Sequence, residues 1–256
     1  MADRLQFKFS HRFQGNIWNM ISVPQRRVLL LEIRDQTTKT VSFNALNLET
    51  NSFLWTNLVL DEPWWVSLAG AEDDTMLFTI YLEHQNPDKK GILAYGIHKP
   101  SLRWWNNDFS LVTLNRKSLL GYSLKMGQKL VLLDLQNGQE LLSATTSDAT
   151  PIPGPVQYLE GTTHFNTVKT FLDRKLNLSV VSALEYFEYD DKILVSYYVT
   201  ENGLANYLIV FDTKGTVRLH EKLDEHLKGI GLDTFFVLSG CVIFVKNREE
   251  LVSYFL

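Results

Sequence analysis

The sequence predicts an all-β protein, and three of its features lead to that prediction. Apolar and polar residues alternate with a period of two along most of the chain, as expected for strands that bury one face. β-branched and aromatic residues fill these runs, and Gly, Pro, Asn and Asp collect between them. Finally, a unit of apolar strand, polar turn and second strand recurs along the chain and is clearest at residues 43–55.

The recurring unit carries two marker residues. Ala45 of the first copy corresponds to Ala94 of the second. Trp55 corresponds to Trp104 at the same offset, and in a third copy Leu142 takes the place of the tryptophan. A shared spacing of this kind requires a structural repeat rather than a mere excess of strands.

The strands group into successive repeats after a first strand, residues 5–13, that stands alone. The first repeat has predicted strands at residues 16–23, 27–33, 39–48 and 52–58. The second has strands at 63–68 and 75–82 followed by the strand–turn–strand stretch 92–104, and the third has strands at 109–114 and 118–124 followed by the similar stretch 129–142. Residues 143–155 are rich in Ser, Thr, Pro and Gly. They are predicted to be a linker within one domain, because the repeat resumes beyond them.

The second half of the chain is predicted to hold three more repeats. The predicted strands are residues 156–159, 165–172 and 176–178 in a degenerate fourth repeat, 183–189, 192–200, 205–212 and 216–221 in the fifth, and 234–238, 241–245 and 250–256 in the last. The last repeat lacks a fourth strand. The first strand of the chain, residues 5–13, can supply it.

A β-propeller accounts for both the orphan strand and the incomplete last repeat, because pairing the two would close a ring. We therefore predict a single β-propeller domain over residues 1–256, with six blades of about 43 residues each, within the roughly 40 to 50 typical of propeller repeats. Five blades are the alternative if residues 156–178 form an insertion. An irregular β-sandwich or barrel of similar strand count is the other fold to consider.

Composition and charge exclude several classes of partner and environment. The chain has 25 basic and 29 acidic residues, a net charge of −4, and no basic stripe. Nucleic acid and anionic membrane are therefore not expected as partners. Cys241 is the single cysteine, so no internal disulfide can form, and its apolar neighbours predict a small core residue. The first residues lack the apolar region of a signal peptide, which predicts a cytoplasmic protein.

Two predicted outer hairpins, residues 45–55 and 132–142, resemble the repeat of quinoprotein-like β-propellers. That repeat reads Ala, apolar, Asp, two residues, Thr, Gly, three residues, Trp. Asn47 stands for the Asp, Asn51 for the Gly, and Leu142 and Leu219 for the Trp. The resemblance implies the propeller fold.

The same resemblance does not extend to a cofactor. Quinone-binding members of the group are larger and hold the quinone with adjacent cysteines and a metal site, whereas this chain has one cysteine. No cofactor is therefore predicted. The whole chain also resembles an uncharacterised family of single-domain proteins from Bacteroidetes-type bacteria, a domain of unknown function, and this implies no activity.

Histidines give no complete metal site in the sequence. The segment that begins at His220 starts like the helical zinc-protease motif, but Asp224 stands where the second histidine is needed. His220 and His226 are instead predicted to lie in an exposed connector. His84 and His98 close strands of the same repeat and could approach each other, but two ligands without a third do not predict a metal site.

Other motifs are interpreted as turns. The pairs Asp73-Asp74 and Asp190-Asp191 lie in the same hairpin of their repeats, where Asp is a good turn former, and the alternative is an acid pair at the propeller axis. Residues 229–231 lack the third glycine of a phosphate-binding loop.

Two adjacent tryptophan pairs, Trp64-Trp65 and Trp104-Trp105, are the unusual feature of the sequence. Neighbouring strand residues face opposite sides, so one ring of each pair is expected to pack between blades and the other to point elsewhere. These four residues are the candidate surface for a ligand or partner, by stacking on a sugar or by anchoring a protein.

The sequence therefore favours a binding or protein-interaction module without catalytic activity. Its partner would be a protein or a small-molecule or carbohydrate ligand, and no catalytic residue can be named. The alternative is a propeller hydrolase or lyase that acts on a carbohydrate or small metabolite in the axial channel, since propeller enzymes assemble their sites from several blades.

Overall fold

The structure is a computed structural model that describes residues 4–83, 85–86, 88–125, 127–142 and 154–256. Within these ranges, strands dominate and are joined by one α-helix and one short 3-10 helix. All strand pairs are antiparallel. The prediction of an all-β protein is confirmed. His84 and most of the predicted linker, residues 143–153, lie outside the described residues.

The elements follow one another along the chain in this order. The first half contains β1 (Phe7–Arg12), β2 (Asn16–Val23), the 3-10 helix (Pro24–Arg26), β3 (Val28–Asp35), β4 (Thr40–Asn47), β5 (Ser52–Leu58), β6 (Val66–Glu72), β7 (Thr75–Tyr81), β8 (Lys90–Gly96), β9 (Leu102–Asn106), β10 (Phe109–Leu114), β11 (Ser118–Ser123) and β12 (Lys129–Asp134). The second half contains β13 (Val156–Leu159), α1 (Thr163–Leu176), β14 (Val180–Tyr189), β15 (Lys192–Thr200), β16 (Leu204–Asp212), β17 (Val217–Leu227), β18 (Phe235–Leu238), β19 (Cys241–Lys246) and β20 (Glu250–Phe255).

The chain divides into two compact units. The central unit is Gln14–Pro151, and the terminal unit combines Met1–Phe13 with Ile152–Leu256. The central unit holds three sheets with strand orders β2-β3-β4-β5 (sheet I), β6-β7-β8-β9 (sheet II) and β10-β11-β12 (sheet III). The terminal unit holds β13-β14-β15-β16-β17 (sheet IV) and β1-β20-β19-β18 (sheet V).

Sheets I and II repeat the same contacts, as the two marker residues predict. Ala45 pairs across the sheet with Trp55, and Ala94 pairs with Trp104. The indole Nε1 of Trp55 donates to the backbone oxygen of Ile97 at 2.6 Å, in the segment after β8 of sheet II. The indole Nε1 of Trp104 likewise donates to the backbone oxygen of Leu135, the residue that follows β12 of sheet III. Each tryptophan therefore links its own sheet to the next.

The polar turn of the repeat also has a common geometry. The side-chain Oδ1 of Asn47 accepts the backbone N–H groups of Glu49 and Thr50. In sheet III, Oδ1 of Asp134 likewise accepts the N–H groups of the two residues that lie two and three positions later. Asn and Asp form this turn equally well, which explains why Asn47 can stand for the repeat's Asp.

Two apolar cores hold the central unit together. Between sheets I and II the buried residues include Phe43 and Phe78, whose ring centres lie 4.5 Å apart. Between sheets II and III they include Leu77, Trp104 and Phe109. Sheet III has three strands among the described residues, and past β12 only an isolated bridge between residues 133 and 140 continues it.

In the terminal unit, the first strand of the chain pairs with the last. β1 lies antiparallel to β20, with Ser10 opposite Val252 and Arg12 opposite Glu250. The expected pairing of the N-terminal strand with the last repeat is therefore observed. Cys241 is buried in β19 of the same sheet, as expected of a small core residue.

The predicted fourth repeat does not form a sheet of its own. Residues 165–172, predicted as a strand, lie in helix α1, and β13 joins the edge of sheet IV. Phe165 and Leu172 are the buried residues of the helix, and their spacing of two turns places both against sheet IV. Thr162 caps the start by accepting the N–H of Phe165, and Asn177 ends the helix in a left-handed conformation.

Replacing Trp104 with Phe should destabilise the central unit. The change keeps a large ring but removes the N–H group, which leaves a buried backbone oxygen without its donor. We expect the free energy of unfolding to fall by about 1–2 kcal/mol in urea denaturation. Trp105→Phe is the matched control, since Trp105 is exposed, and should change it by less than about 0.5 kcal/mol. Equal effects from the two variants would contradict this role of Trp104.

Candidate functional site

The four predicted tryptophans have different environments. Trp104 is buried between sheets II and III, and its Nε1 donates to the backbone oxygen of Leu135 at 3.0 Å. Its ring lies directly against Gly138, where a Cβ atom would come within 2.6 Å of a ring carbon. Trp104 therefore has a structural role, as expected for one member of its pair.

Trp105 points out of the other face of β9 and is 61% exposed. Trp105 lies on β9, the edge strand of sheet II, and faces Leu93 on the neighbouring strand β8. Within the described residues, its ring contacts no other aromatic ring or cation. The structure therefore does not bring Trp105 together with the first tryptophan pair.

Trp64 and Trp65 precede β6 and are held by a local hydrogen-bond pattern. The Oε1 atom of Glu62 accepts the backbone N–H groups of both tryptophans, at 3.0 and 2.9 Å. Trp64 is half-buried and Trp65 is 40% exposed. Trp65 makes an edge-on contact with Tyr81, and the ring centres are 6.2 Å apart.

Trp64 belongs to a stack that the sequence did not indicate. The guanidinium of Arg34 lies between two rings, 5.2 Å from the centre of Trp64 and 5.4 Å from that of Trp18. The ammonium of Lys39 lies 5.0 Å from the centre of the Trp64 ring. Trp18, Arg34, Trp64 and Lys39 thus form an alternating series of rings and cations, which we call the cation–aromatic stack.

Arg34 is fixed by an unusual number of partners. Its Nε donates to Oε1 of Glu32 at 2.7 Å. Its two terminal nitrogens donate to the backbone oxygens of Trp64 and Val66 and to the hydroxyl of Ser67, at 3.2, 2.8 and 2.9 Å. Because these acceptors lie in or before β6, the guanidinium joins sheet I to sheet II.

Glu32 completes this connection from the inside. Its side chain is fully buried, and Oε2 accepts the backbone N–H of Leu68 in sheet II at 2.7 Å. Burial raises the pKa of the Glu32 carboxyl, while the Leu68 N–H and the Arg34 guanidinium act in the opposite direction. The pair therefore anchors the cation–aromatic stack to the core rather than to the surface.

Trp18, Trp64, Trp65 and Tyr81 together form what we call the aromatic surface. Trp18 is 62% exposed on β2, although Arg34 covers one side of its ring. On the sheet II side, Lys90 lies 5.2 Å from the centre of the Tyr81 ring. Trp18 and Trp64 thus lie against the fixed guanidinium of Arg34, and Tyr81 lies beside the ammonium of Lys90.

The predicted turn residues lie in turns. Asp73 has a left-handed backbone conformation in the β6–β7 turn and forms an ion pair with Arg26 at 2.9 Å. Asp190 has the same conformation in the β14–β15 turn, and Asp191 forms an ion pair with Lys192. Their geometry is that of turn formers.

Asp74 holds two basic side chains in place. Its carboxylate accepts from the His98 ring at 2.9 Å and from the Arg103 guanidinium at 2.5 Å. Burial would raise the pKa of Asp74, but hydrogen bonds from His98 and Arg103 outweigh it and lower the value. Among the described residues, no group of three or more His, Cys, Asp and Glu side chains is arranged to hold a metal ion.

The prediction that His220 lies in a connector is wrong, although the residue is exposed as predicted. The segment lies inside β17 rather than in a connector, because residues 217–227 pair with β16 along their length. Nε2 of His220 lies 2.7 Å from the hydroxyl of Tyr197, two strands away. Sequence reasoning missed this pair because its members are not neighbours in the chain. His226 contacts the backbone oxygen of Asn202 through Nδ1.

No helix in the described part of the chain is both long and apolar enough to span a membrane. A family model described as a domain of unknown function (DUF4905) matches residues 23–104. This range contains Arg34, Trp64 and Trp65, and it ends at Trp104. No curated protein matches the chain.

Solved structures give distant similarities. One is BamB from Moraxella catarrhalis, with 10% identity and a TM-score of 0.37 over 98% of this chain and 100% of that one. Another is the β-propeller domain of the Trilobed protease from Pyrococcus furiosus, with 12% identity and a TM-score of 0.36 over 93% and 65%. TolB from Acinetobacter baumannii shares 12% identity with a TM-score of 0.32 over 94% and 54%, so the chain spans about half of TolB.

Replacing Arg34 with Met should weaken the structure far more than a surface charge deletion. Met keeps the aliphatic stem but leaves the carboxylate of Glu32 buried without a cation. We expect a loss of about 3 kcal/mol in the free energy of unfolding, measured in urea. Arg26→Met, which breaks the exposed pair with Asp73, is the control and should cost less than about 1 kcal/mol. A loss at Arg34 no larger than at Arg26 would show that the pair does not anchor the stack.

Proposed function

We propose that the chain is a single five-bladed β-propeller that acts as a protein-binding module without catalytic activity, and that its partner docks on the aromatic surface. Two observations support the architecture. The described strands form five sheets in which neighbours along the chain are neighbours in space, apart from β1. The pairing of β1 with β20 supplies sheet V with the strand that a propeller needs to close its ring.

The observation that carries the proposed function is that exposed aromatic rings pack against side chains that are themselves held in place by hydrogen bonds. Trp18 is 62% exposed, yet the Arg34 guanidinium against its ring is tied to the buried carboxylate of Glu32. Trp65 is 40% exposed and lies edge-on against Tyr81. A large ring that is already ordered loses little entropy when a partner covers it. Fixed aromatic and arginine side chains are typical of the residues that dominate binding energy in protein interfaces.

The test is selection of peptides on the purified protein. A displayed library of random peptides would be selected on the native chain, on the Trp18→Ala/Trp65→Ala double variant and on Trp105→Ala. We expect enriched peptides to bind the double variant at least tenfold more weakly, because hot-spot side chains contribute about 2 kcal/mol or more each. Binding would be measured by calorimetry.

Trp105→Ala is the matched control, since Trp105 is as exposed as Trp18 but stands apart from the stack. It should leave peptide binding unchanged. Equal binding to all three proteins would refute the aromatic surface as the docking site. A parallel glycan array that gives binding sensitive to Trp18, while no peptide is enriched, would replace the protein partner by a carbohydrate.

A further inference from the structure

A cavity of about 510 Å³ lies on one face of sheet IV in the terminal unit. Helix α1 packs over β13 and β14 of this sheet, and the cavity lies past the end of the helix. Its walls come from the segment after α1 and from strands β14 to β17. The lining includes Leu178, Val181, Tyr197, Val199, Tyr207 and His220. We call it the Tyr–His cavity.

Three rings of the lining contact one another. Tyr197 and Tyr207 are cross-strand neighbours whose rings are nearly parallel, with centres 5.8 Å apart. The His220 ring lies 6.2 Å from Tyr197 and 5.6 Å from Tyr207. Together with Leu178, Val181 and Val199, these rings give the cavity an apolar and aromatic lining of the kind that binds flat ring systems.

One hydrogen bond determines which ring nitrogen of His220 carries the proton. Tyr197 is fully buried, and its hydroxyl lies 2.7 Å from Nε2 of His220. Burial raises the pKa of Tyr197, so its hydroxyl keeps its proton. Partial burial lowers the pKa of His220, so its ring is neutral near pH 7. The arrangement that satisfies both groups has the tyrosine donating to Nε2, which places the imidazole proton on Nδ1.

The Nδ1–H group of His220 is then a donor without a protein acceptor. No described residue accepts a hydrogen bond from it. The one carboxylate in the lining, Glu201, accepts instead from the Tyr207 hydroxyl at 2.6 Å and from Lys222 at 2.8 Å. The cavity therefore combines rings, aliphatic side chains, the hydroxyls of Ser179 and Thr200 and the N–H donor of His220. Its one carboxylate is paired with Lys222, which also pairs with Glu225.

The strands that line the cavity are irregular beside it. In β14, the pairing with β15 shifts between Val181 and Leu184, and Ser182 has a left-handed backbone with φ 65°. In β16, the pairing with β17 shifts between Asn206 and Tyr207. Bulges of this kind re-aim side chains and are common next to binding sites.

We propose that the Tyr–His cavity binds a small, planar, uncharged aromatic compound that carries a carbonyl group. Its ring lies against Tyr207, and its carbonyl oxygen accepts the Nδ1 proton of His220. An uncharged ligand fits because the one carboxylate of the lining is paired with Lys222, and a carbonyl fits because it accepts the proton that His220 offers. This site is independent of the aromatic surface, which belongs to the other compact unit.

Benzamide is a suitable probe, because it has a planar ring and a carbonyl acceptor. Its binding to the full chain would be followed by NMR, using the ring signals of Tyr207 and the side-chain nitrogens of His220. For a compound of this size we expect a dissociation constant on the order of 1 mM. Benzylammonium, of similar size but with only donors, should bind at least about fivefold more weakly.

Two substitutions test whether the N–H donor of His220 is needed for binding. His220→Phe keeps a ring in the stack but removes the donor, and should weaken benzamide binding about fivefold. His226→Phe, at a histidine of the same strand outside this lining, should leave binding unchanged. If His220→Phe fails to fold, Tyr197→Phe takes its place, since it frees Nε2 and should shift the histidine nitrogen signals towards a mixture of tautomers and weaken binding.

A second cavity of about 820 Å³ shares His220 and is also lined by Arg4, Leu5 and Tyr254. Tyr207→Leu and Arg4→Ala distinguish the two, because each residue lines only one of them. Loss of benzamide binding with Tyr207→Leu but not with Arg4→Ala supports the proposal. It is overturned by the reverse pattern, by no binding of benzamide to the native chain, or by equal binding of benzamide and benzylammonium.

Discussion

Strands β7 of sheet II and β15 of sheet IV are apolar on both faces, and much of the structure depends on this constraint. In β7, Phe78 packs towards sheet I while its neighbour Leu77 packs towards sheet III. In β15, Val195 belongs to the core under α1 while Leu194 belongs to the core shared with sheet V. Because successive strand residues point to opposite sides, such a sheet is stable only when both faces are covered. In the central unit, the tryptophan N–H bonds of Trp55 and Trp104 add a polar link between each sheet and the next.

The repeat could be predicted because its contacts lie close together in the sequence. Trp55 and Ala45 are joined by a short hairpin, so their spacing is the same in each copy and survives in the chain as a pattern. Helix α1 was missed although its sequence carries a local signal. The apolar residues Phe165, Val168, Leu172 and Leu176 recur at helical spacing, and the strand prediction for residues 165–172 overlooked this period. The cap at Thr162 was a second local signal.

The candidate sites were harder to predict than the fold, since each is built from distant positions. Trp64 was singled out as one of a pair, but its partners Arg34 and Trp18 come from another sheet. Nothing in the sequence around Trp18 distinguishes it from a single surface aromatic residue. Tyr197 and His220 meet across the intervening strand β16. The pairing of β16 with β17 contains register shifts, so residue numbers alone do not tell which residues of the two strands lie opposite each other. A repeated contact is visible in the sequence because its spacing recurs, whereas the cation–aromatic stack and the Tyr–His cavity each occur once.

The pairing of β1 with β20 also has a consequence for biosynthesis. Ser10 and Glu250 are hydrogen-bonded across a sequence separation of 240 residues. While the ribosome makes the intervening chain, β1 has no partner, and its backbone N–H and C=O groups form an open edge that can pair with other chains. The central unit is complete in sequence long before residues 250–255 emerge, so it can fold first. Residues 7–12 are therefore the first of the described strands to be made and among the last to be paired, and this edge is the one left open longest during synthesis.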